Sequence, residues 1–289
     1  MASKKLKSPV NIPVSKIHPF EGNPYKVLDN DEMNNLICSI QEQGILTPII
    51  IRPIENTDEY EVISGHRRLH ATVKAGMKEV PAFIYAVTRD EAAIMLVDSN
   101  LHREHILPSE KAFAYKLKLE AIKRQGERTD LTSDQVGRKL ESAELIANKS
   151  DDSKTQVRRY IRLTNLIPEL LELVDEEKIA LTPAVELSYL TDEEQYSLLG
   201  TIEEEDRTPS LSQAVRFKKL SQAGELSDES IETIMQEDKA NQKPMFKVSM
   251  ERLQKVAPKV KDKDFEDFVL KACEHYYRYL QRQRNRDAR

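Results

Sequence analysis

Ser64-Gly65-His66-Arg67-Arg68-Leu69-His70-Ala71 joins a strand to a helix through a single glycine. Tyr60 to Ile63, on its N-terminal side, reads as a strand returning from a turn at Pro53 to Asp58. On its C-terminal side the spacing predicts a helix from His66 to Ala75, closed by Gly76. The β-branched run Ile49-Ile50-Ile51 is too short for a helix and suits a buried strand. Val80 to Val87 reads as a further strand, so the order strand, tight turn, helix, strand sits at the heart of an α+β domain. Upstream, Ile12 to Ile17 reads as an edge strand broken by Asn23-Pro24. Met33, Leu36, Ile37 and Ile40 set a helix over 32–43, capped by Asp29 or Asn30 and ended by Gly44. Ala92, Ala93, Leu96 and Val97 stripe a helix from Arg89 to Asn100.

The glycine turn carries chemistry. A helix start leaves backbone N–H groups free and places the positive end of the dipole at the turn. Arginine forks match phosphate oxygens, so Arg67 and Arg68 beside Gly65 form a polyphosphate cradle. A surface ion pair is the alternative for such an arginine pair. Asp98-Ser99-Asn100-Leu101-His102-Arg103-Glu104 ends a helix and offers a second cation, Arg103, for the same anion. Asn100 offers an oxygen to a hydrated magnesium ion. His66 and His70 stand four apart, but no third ligand joins them in the sequence, and no Ser/His/Asp order suggests nucleophilic catalysis.

Gly65-x-x-Arg68-x-x-Ala71, then Asn100-x-x-Arg103, preceded by Gly44-Ile45-Leu46-Thr47-Pro48-Ile49, resembles the ParB partition-protein family from about Ile12 to Leu190. The resemblance implies CTP with Mg2+ bound by Gly44, Thr47, Gly65, His66, Arg67, Arg68, Asn100 and Arg103, with Asn100 toward the metal. Two positions depart from the pattern. Ser99 stands where the family usually has Glu, leaving Asp98 as the nearest carboxylate, and His66 stands where Glu is common. Nucleotide binding is therefore expected, and hydrolysis weak or absent. Sulfiredoxin shares the turn but needs a Cys at His66, which excludes its chemistry here.

A second functional stretch lies further on. Glu144–Ala147, a turn over 148–152, and Ser153-Lys154-Thr155-Gln156-Val157-Arg158-Arg159-Tyr160-Ile161-Arg162-Leu163 read as helix, turn, helix. Val157, Tyr160 and Ile161 face inward. Ser153, Lys154, Thr155, Gln156, Arg158 and Arg159 face outward, amides for base edges and cations for phosphates. A basic amphipathic helix on a bundle is the alternative, and the resemblance favours the helix-turn-helix.

After Pro108 the sequence reads as all helix. A long helix opens with Ser109 at its cap and runs to about Gln125, and a polar linker over 125–131 follows. Helices are expected near 132–140, 142–148, 153–163, 168–176, 182–190, 192–199 and 227–236, with a loop over 203–210. A polar linker over 238–244 precedes helices over 251–256 and 265–282. Phe265, Phe268, Val269, Ala272, Cys273, Tyr276 and Leu280 form one stripe on the last, fit to pack back on the chain or pair with a second copy.

Composition sets the outer bounds. The 289 residues carry a net charge of −5, but 12 acids and one base fall between Glu172 and Asp206, giving −11, so the remainder is +6. Five arginines and one aspartate from Tyr276 to Arg289 make the tail +4. No apolar run approaches a membrane span, and the lysine-bearing start has no apolar stretch behind it. Cys38 and Cys273 lie far apart, which fits a reducing cytoplasm. The expected organisation is an α+β nucleotide-binding domain over 1–106, a helical DNA-binding domain over 107–237, and a C-terminal helical dimerisation segment over 238–289. The leading functional expectation is a centromere-binding partition protein acting as a CTP-gated clamp. It would be a nucleoid-associated homodimer on double-stranded DNA, with a ParA-type ATPase partner. The alternatives are a regulator without nucleotide switching and a ParB-fold nuclease, which lacks an acidic cluster near the motifs.

Overall fold

The structure, a computed structural model, describes residues 8–101, 103, 105–130, 146, 152–237, 255, 260 and 265–287. They fall into two compact units, one within Met1–Glu237 and one within Asp238–Arg289. The first unit opens with a five-stranded sheet. Its strands are β1 (Val10–Pro13), β2 (Ile17–His18), β3 (Ile49–Pro53), β4 (Tyr60–Ser64) and β5 (Glu79–Ile84), in the order β1-β5-β3-β4-β2. β3 pairs antiparallel with β4, Ile51 opposite Val62, and parallel with β5, Ile50 opposite Phe83.

The single edge strand expected over Ile12–Ile17 is instead two strands on opposite edges, linked by a 3-10 turn at Val14–Lys16. Four inter-strand steps of about 4.8 Å would separate those edges by about 19 Å in a flat sheet. Three linking residues reach at most about 14 Å. The sheet therefore curls into a half-barrel. Alternation along the strands fills both faces. Ile49, Ile51 and Val62 pack with Leu69 of α2 (His66–Lys74), while Ile63 packs with Ala92, Leu96 and Val97 of α3 (Arg89–Asn100). α1 (Asp31–Gln43) covers α2 through Met33, Ile40 and Ala71. Asn30 caps α1, and Asp29 instead bonds Lys74 and His70 of α2.

α4 (Pro108–Asp130) runs through the stretch read as a linker, up to Asp130. Ser109 lies inside its first turn rather than at its cap, and both its N–H and its hydroxyl donate to Asp175. At about 100° per residue, Ala112, Tyr115 and the pair Ala114/Ala121 point in three directions. Each enters a different core: the helical bundle, the contact with Ile146 and Val157, and the sheet side against α3. One helix thus belongs to both halves of the unit.

α5 (Lys154–Leu163), α6 (Pro168–Asp175), α7 (Leu181–Leu187), α8 (Asp192–Glu205), α9 (Leu211–Ala223) and α10 (Asp228–Gln236) follow. Leu170, Leu187, Leu198, Phe217 and Ile231 centre their core. Ser153 caps α5, accepting from the Gln156 N–H at 3.2 Å, and Asp152 before it pairs with Lys111 and accepts from the Tyr115 hydroxyl. α8 extends to Glu205, so the expected loop over 203–210 shrinks to the residues after it. α9, absent from the sequence reading, is set by a Ser210/Gln213 capping box and by Gly224 at its C-terminus. The expected helices over 132–140, 142–148 and 251–256 and the linker over 238–244 lie outside the described residues, Ile146 and Lys255 aside. In the second unit, α11 (Phe265–Asp287) reaches beyond the expected end at Arg282.

Candidate functional site

Gly65 occupies the turn between β4 and α2 with φ of +101°. A Cβ there would stand 2.8 Å from Ile49 Cγ2 and 3.2 Å from Arg68 Nη2. Side-chain-bearing residues rarely adopt that φ and the space is closed, so glycine is obligatory. Behind it the first N–H groups of α2 open onto a cavity of about 280 Å³. Gly65, His66, Arg67, Arg68, Asn100 and Arg103 all line it. Thus six of the eight residues expected to hold the nucleotide converge. Gly44 and Thr47 lie outside that lining. Gly44 closes α1, its N–H donating to Ile40 O, and Thr47 reaches the site through its carbonyl, which accepts from Arg68 Nη1.

Arg68 also donates to Pro48 O at 2.9 Å, and burial pulls its pKa below the ordinary arginine value. It ties the Thr47-Pro48 loop to the α2 start and keeps its remaining donors beside Gly65. Arg67 forms the surface pair weighed as the alternative, with Glu32 at 3.0 Å. His66 Nε2 accepts from the Phe20 N–H at 3.5 Å, which requires a neutral ring. Burial and then the Arg103 charge lower its pKa to about 4. His70 turns elsewhere and meets the acidic partner the sequence did not offer it, Asp29 at 2.8 Å.

At the end of α3, Asn100 Nδ2 donates to Leu96 O at 2.8 Å, leaving its Oδ1 uncommitted to that bond. Ser99 Oγ donates to the same carbonyl at 2.9 Å. Asp98 pairs with Lys118, whose side chain is 1% exposed, and does not line the cavity. Among the described residues no carboxylate lines it. Among the described residues no group of three or more His, Cys, Asp or Glu could hold a metal ion. The donor set suits a phosphate chain directly, and magnesium only as a hydrated ion carried by that chain. The far wall was missed: Asn23, Tyr25, Lys26, Val27 and Leu36. Asn23-Pro24 was read only as a break, yet the Asn23 side chain bonds both the N–H and the C=O of Tyr25. An asparagine turn of that kind was the available signal.

A larger cavity, about 690 Å³, lies elsewhere, lined by Arg52, Arg89, Asp90 and Arg124 among others. Its cations are already paired, Arg52 with Glu61, Arg89 with Glu21 and Arg124 with Asp90.

On α5, Val157 is buried against Tyr115 and Ile146, so the opposite face is open. Thr155, Gln156 and Arg158 are exposed and Lys154 is half-buried. Ser153 is exposed and spends its oxygen on the cap. Arg159 leans on α7, donating to Thr182 Oγ1 at 2.6 Å. Arg162 lies 3.9 Å above the Tyr189 ring, and Lys218 of α9 lies 3.7 Å from the same ring.

These features define the first unit as a half-barrel domain with a basic glycine turn, continuous through one helix with a bundle that presents a basic amphipathic helix. Residues 2–101 match the family described as the ParB N-terminal domain. The chain is 31% identical over 207 residues to the chromosome-partitioning protein Spo0J of Thermus thermophilus, covering 72% of this chain and 70% of that protein. It is 31% identical over 196 residues to the nucleoid occlusion protein of Listeria innocua, covering 68% of this chain and 63% of that protein. Among solved structures it is similar to C-terminally truncated ParB of Caulobacter crescentus complexed to the centromeric parS site. That match has 21% identity, a TM-score of 0.42, and covers 78% of this chain and 98% of the other. A second structure of that protein, complexed with CTP-gamma-S, matches at 24% identity and TM-score 0.31 over 68% and 98% of the two chains. The chain belongs to the ParB family.

Proposed function

We propose that this protein is a centromere-binding partition factor that grips double-stranded DNA through α5 and responds to CTP held at the Gly65 turn. The observation that carries the reading is the convergence of Gly65, Arg68, Asn100 and Arg103, from two separate motifs, on one cavity that no carboxylate lines among the described residues. Free N–H groups, the helix dipole and two guanidinium groups favour a polyanion there. The names and titles of the relatives, chromosome partitioning, nucleoid occlusion, parS and CTP-gamma-S, support DNA and CTP as the ligands. Gly44 and Thr47 shape the site from behind, His66 and Arg67 flank the turn, and Asn100 meets a phosphate-borne magnesium ion. With Ser99 in place of a carboxylate, turnover of CTP is slow. Ser153, Lys154, Thr155, Gln156, Arg158 and Arg159 form the DNA face, Gln156 reading bases and the cations meeting phosphates. Homodimerisation through α11, a ParA-type ATPase partner and a place on the nucleoid complete the reading. No helix among the described residues is long and apolar enough to cross a membrane.

Titration calorimetry with CTP and magnesium tests the site. Wild type binds, and Arg68→Ala weakens binding about tenfold or more through loss of a charge-assisted contact. No heat from the wild type overturns the CTP reading. Genomic mapping with and without CTP then separates the mechanisms: spreading over kilobases supports a clamp, and one sharp peak supports a plain regulator.

A further inference from the structure

Four side chains close a ring of contacts between α4 and α5. Asp152 stands one residue ahead of Ser153, whose oxygen already caps α5, so the helix does not need Asp152 for that purpose. The Asp152 side chain is only 11% exposed, and one of its oxygens, Oδ2, meets both Lys111 Nζ and the Tyr115 hydroxyl. Lys111 and Tyr115 share one face of α4, a single turn apart. Lys111 Nζ also lies 4.7 Å from the centre of the Tyr160 ring. The Tyr115 and Tyr160 rings meet edge to face at 6.1 Å. The contacts thus run from Asp152 to Lys111, Tyr160, Tyr115 and back to Asp152. Asp152 and Tyr160 are separated by roughly 12 Å of helix rise. Val157, buried between them, packs with Tyr115. A helix held at two points that far apart neither tilts nor slides on its support.

We infer that Asp152 is a positioning residue for sequence recognition: through Lys111 and Tyr115 it fixes the angle at which α5 enters the DNA groove, and so sets how sharply α5 tells one sequence from another. This rests on the reading of α5 as the DNA face. A recognition helix meets base edges with its N-terminal residues, so a tilt about that end moves Thr155 and Gln156 off their bases. Long cationic side chains follow phosphates through such a tilt, whereas hydrogen bonds to base edges weaken steeply with angle. The charge of Asp152 points the same way. A carboxylate ahead of a helix that meets phosphates opposes DNA binding by its field alone. Lys111 offsets that charge, and the cap is supplied by Ser153. What the carboxylate adds is the link to α4. A largely buried ion pair contributes little net stability over apolar residues of the same size, but it selects one arrangement of the groups that make it.

The full-length wild type first selects its preferred duplex from a random-sequence pool. Affinities for that duplex and for a random duplex are then measured for the wild type, for Asp152→Asn, and for Asp152→Asn combined with Lys111→Met, which leaves no unpaired cation behind. In both variants the ratio of the two affinities falls about tenfold, the discrimination carried by one base contact. For Asp152→Asn the affinity for the random duplex holds or rises, because an acid has gone from beside the phosphates. Partial unfolding would lower both affinities together and leave their ratio unchanged. That outcome overturns the inference, and so does an equal rise for both duplexes, the mark of a bare surface charge. A wild type that selects no sequence from the pool overturns the DNA reading of α5 and this inference with it. A wild type that selects one, with variants that discriminate as well as it does, overturns this inference alone.

Discussion

Gly65→Ala forces a Cβ to within 2.8 Å of Ile49 Cγ2 at a φ of +101°. Strain and overlap together cost about 1–3 kcal/mol, read as a lowered urea midpoint at constant slope. His66 supplies a pH dependence. Its folded pKa of about 4 lies below the ordinary 6.5, so between those values the unfolded chain binds the extra proton. Stability is complete above about 6.5 and is lost as pH falls toward about 4. Between pH 7 and pH 5 the loss is about 2 kcal/mol. His66→Gln removes that part of the difference between urea melts at the two pH values. Both residues were legible in the sequence because a glycine between a strand and a basic helix start has few other uses. Tyr25 was not. Its place in the cavity wall is fixed by the Asn23 side chain and by Glu110, which accepts from the Lys26 N–H 84 residues away, and no local pattern announces a contact that long.

The same contrast holds for whole elements. α5 was read with its ends nearly right, because Ser153 caps it and Val157 and Leu163 mark one buried face. The two kinds of outward side chain predict separable behaviour. Gln156→Ala relaxes sequence preference while sparing affinity for random DNA, whereas Arg158→Ala weakens binding to all sequences and reduces the slope of log affinity against log salt by about 1. Filter binding on specific and random duplexes over a salt series checks both, and parallel losses would contradict the division. α9 escaped the reading for a physical reason. Of its apolar residues only Ala214 and Phe217 are fully buried, and Arg216, Lys218 and Lys219 crowd the same turns, so no clean stripe emerges. Its capping box was visible and was the better signal. The end of α4 was misjudged likewise: Gln125 to Asp130 looks polar, yet a helix already fixed by Ala112, Tyr115 and Ala121 propagates through it at little further cost.

On the scale of the molecule, the stripe on α11 leaves Phe268, Tyr276 and Leu280 exposed. If that face pairs with a second copy, Phe268→Asp buries a charge against apolar neighbours and dissociates the dimer. Sedimentation at micromolar concentration then moves from dimer mass to monomer mass, and a wild type that already sediments as a monomer refutes the pairing. The −11 block and the +4 tail were both legible in composition before any coordinates. What they could not convey was the curl of the sheet, which depends on β1 and β2 finding opposite edges. That curl has a colloidal consequence. The outer strands are four and two residues long and drawn round by the three-residue turn between them. Neither presents the long, flat row of unpaired amides on which another molecule's strand could template. Neither edge of this sheet thereby offers a neighbouring copy a flat strand to extend in cross-β fashion.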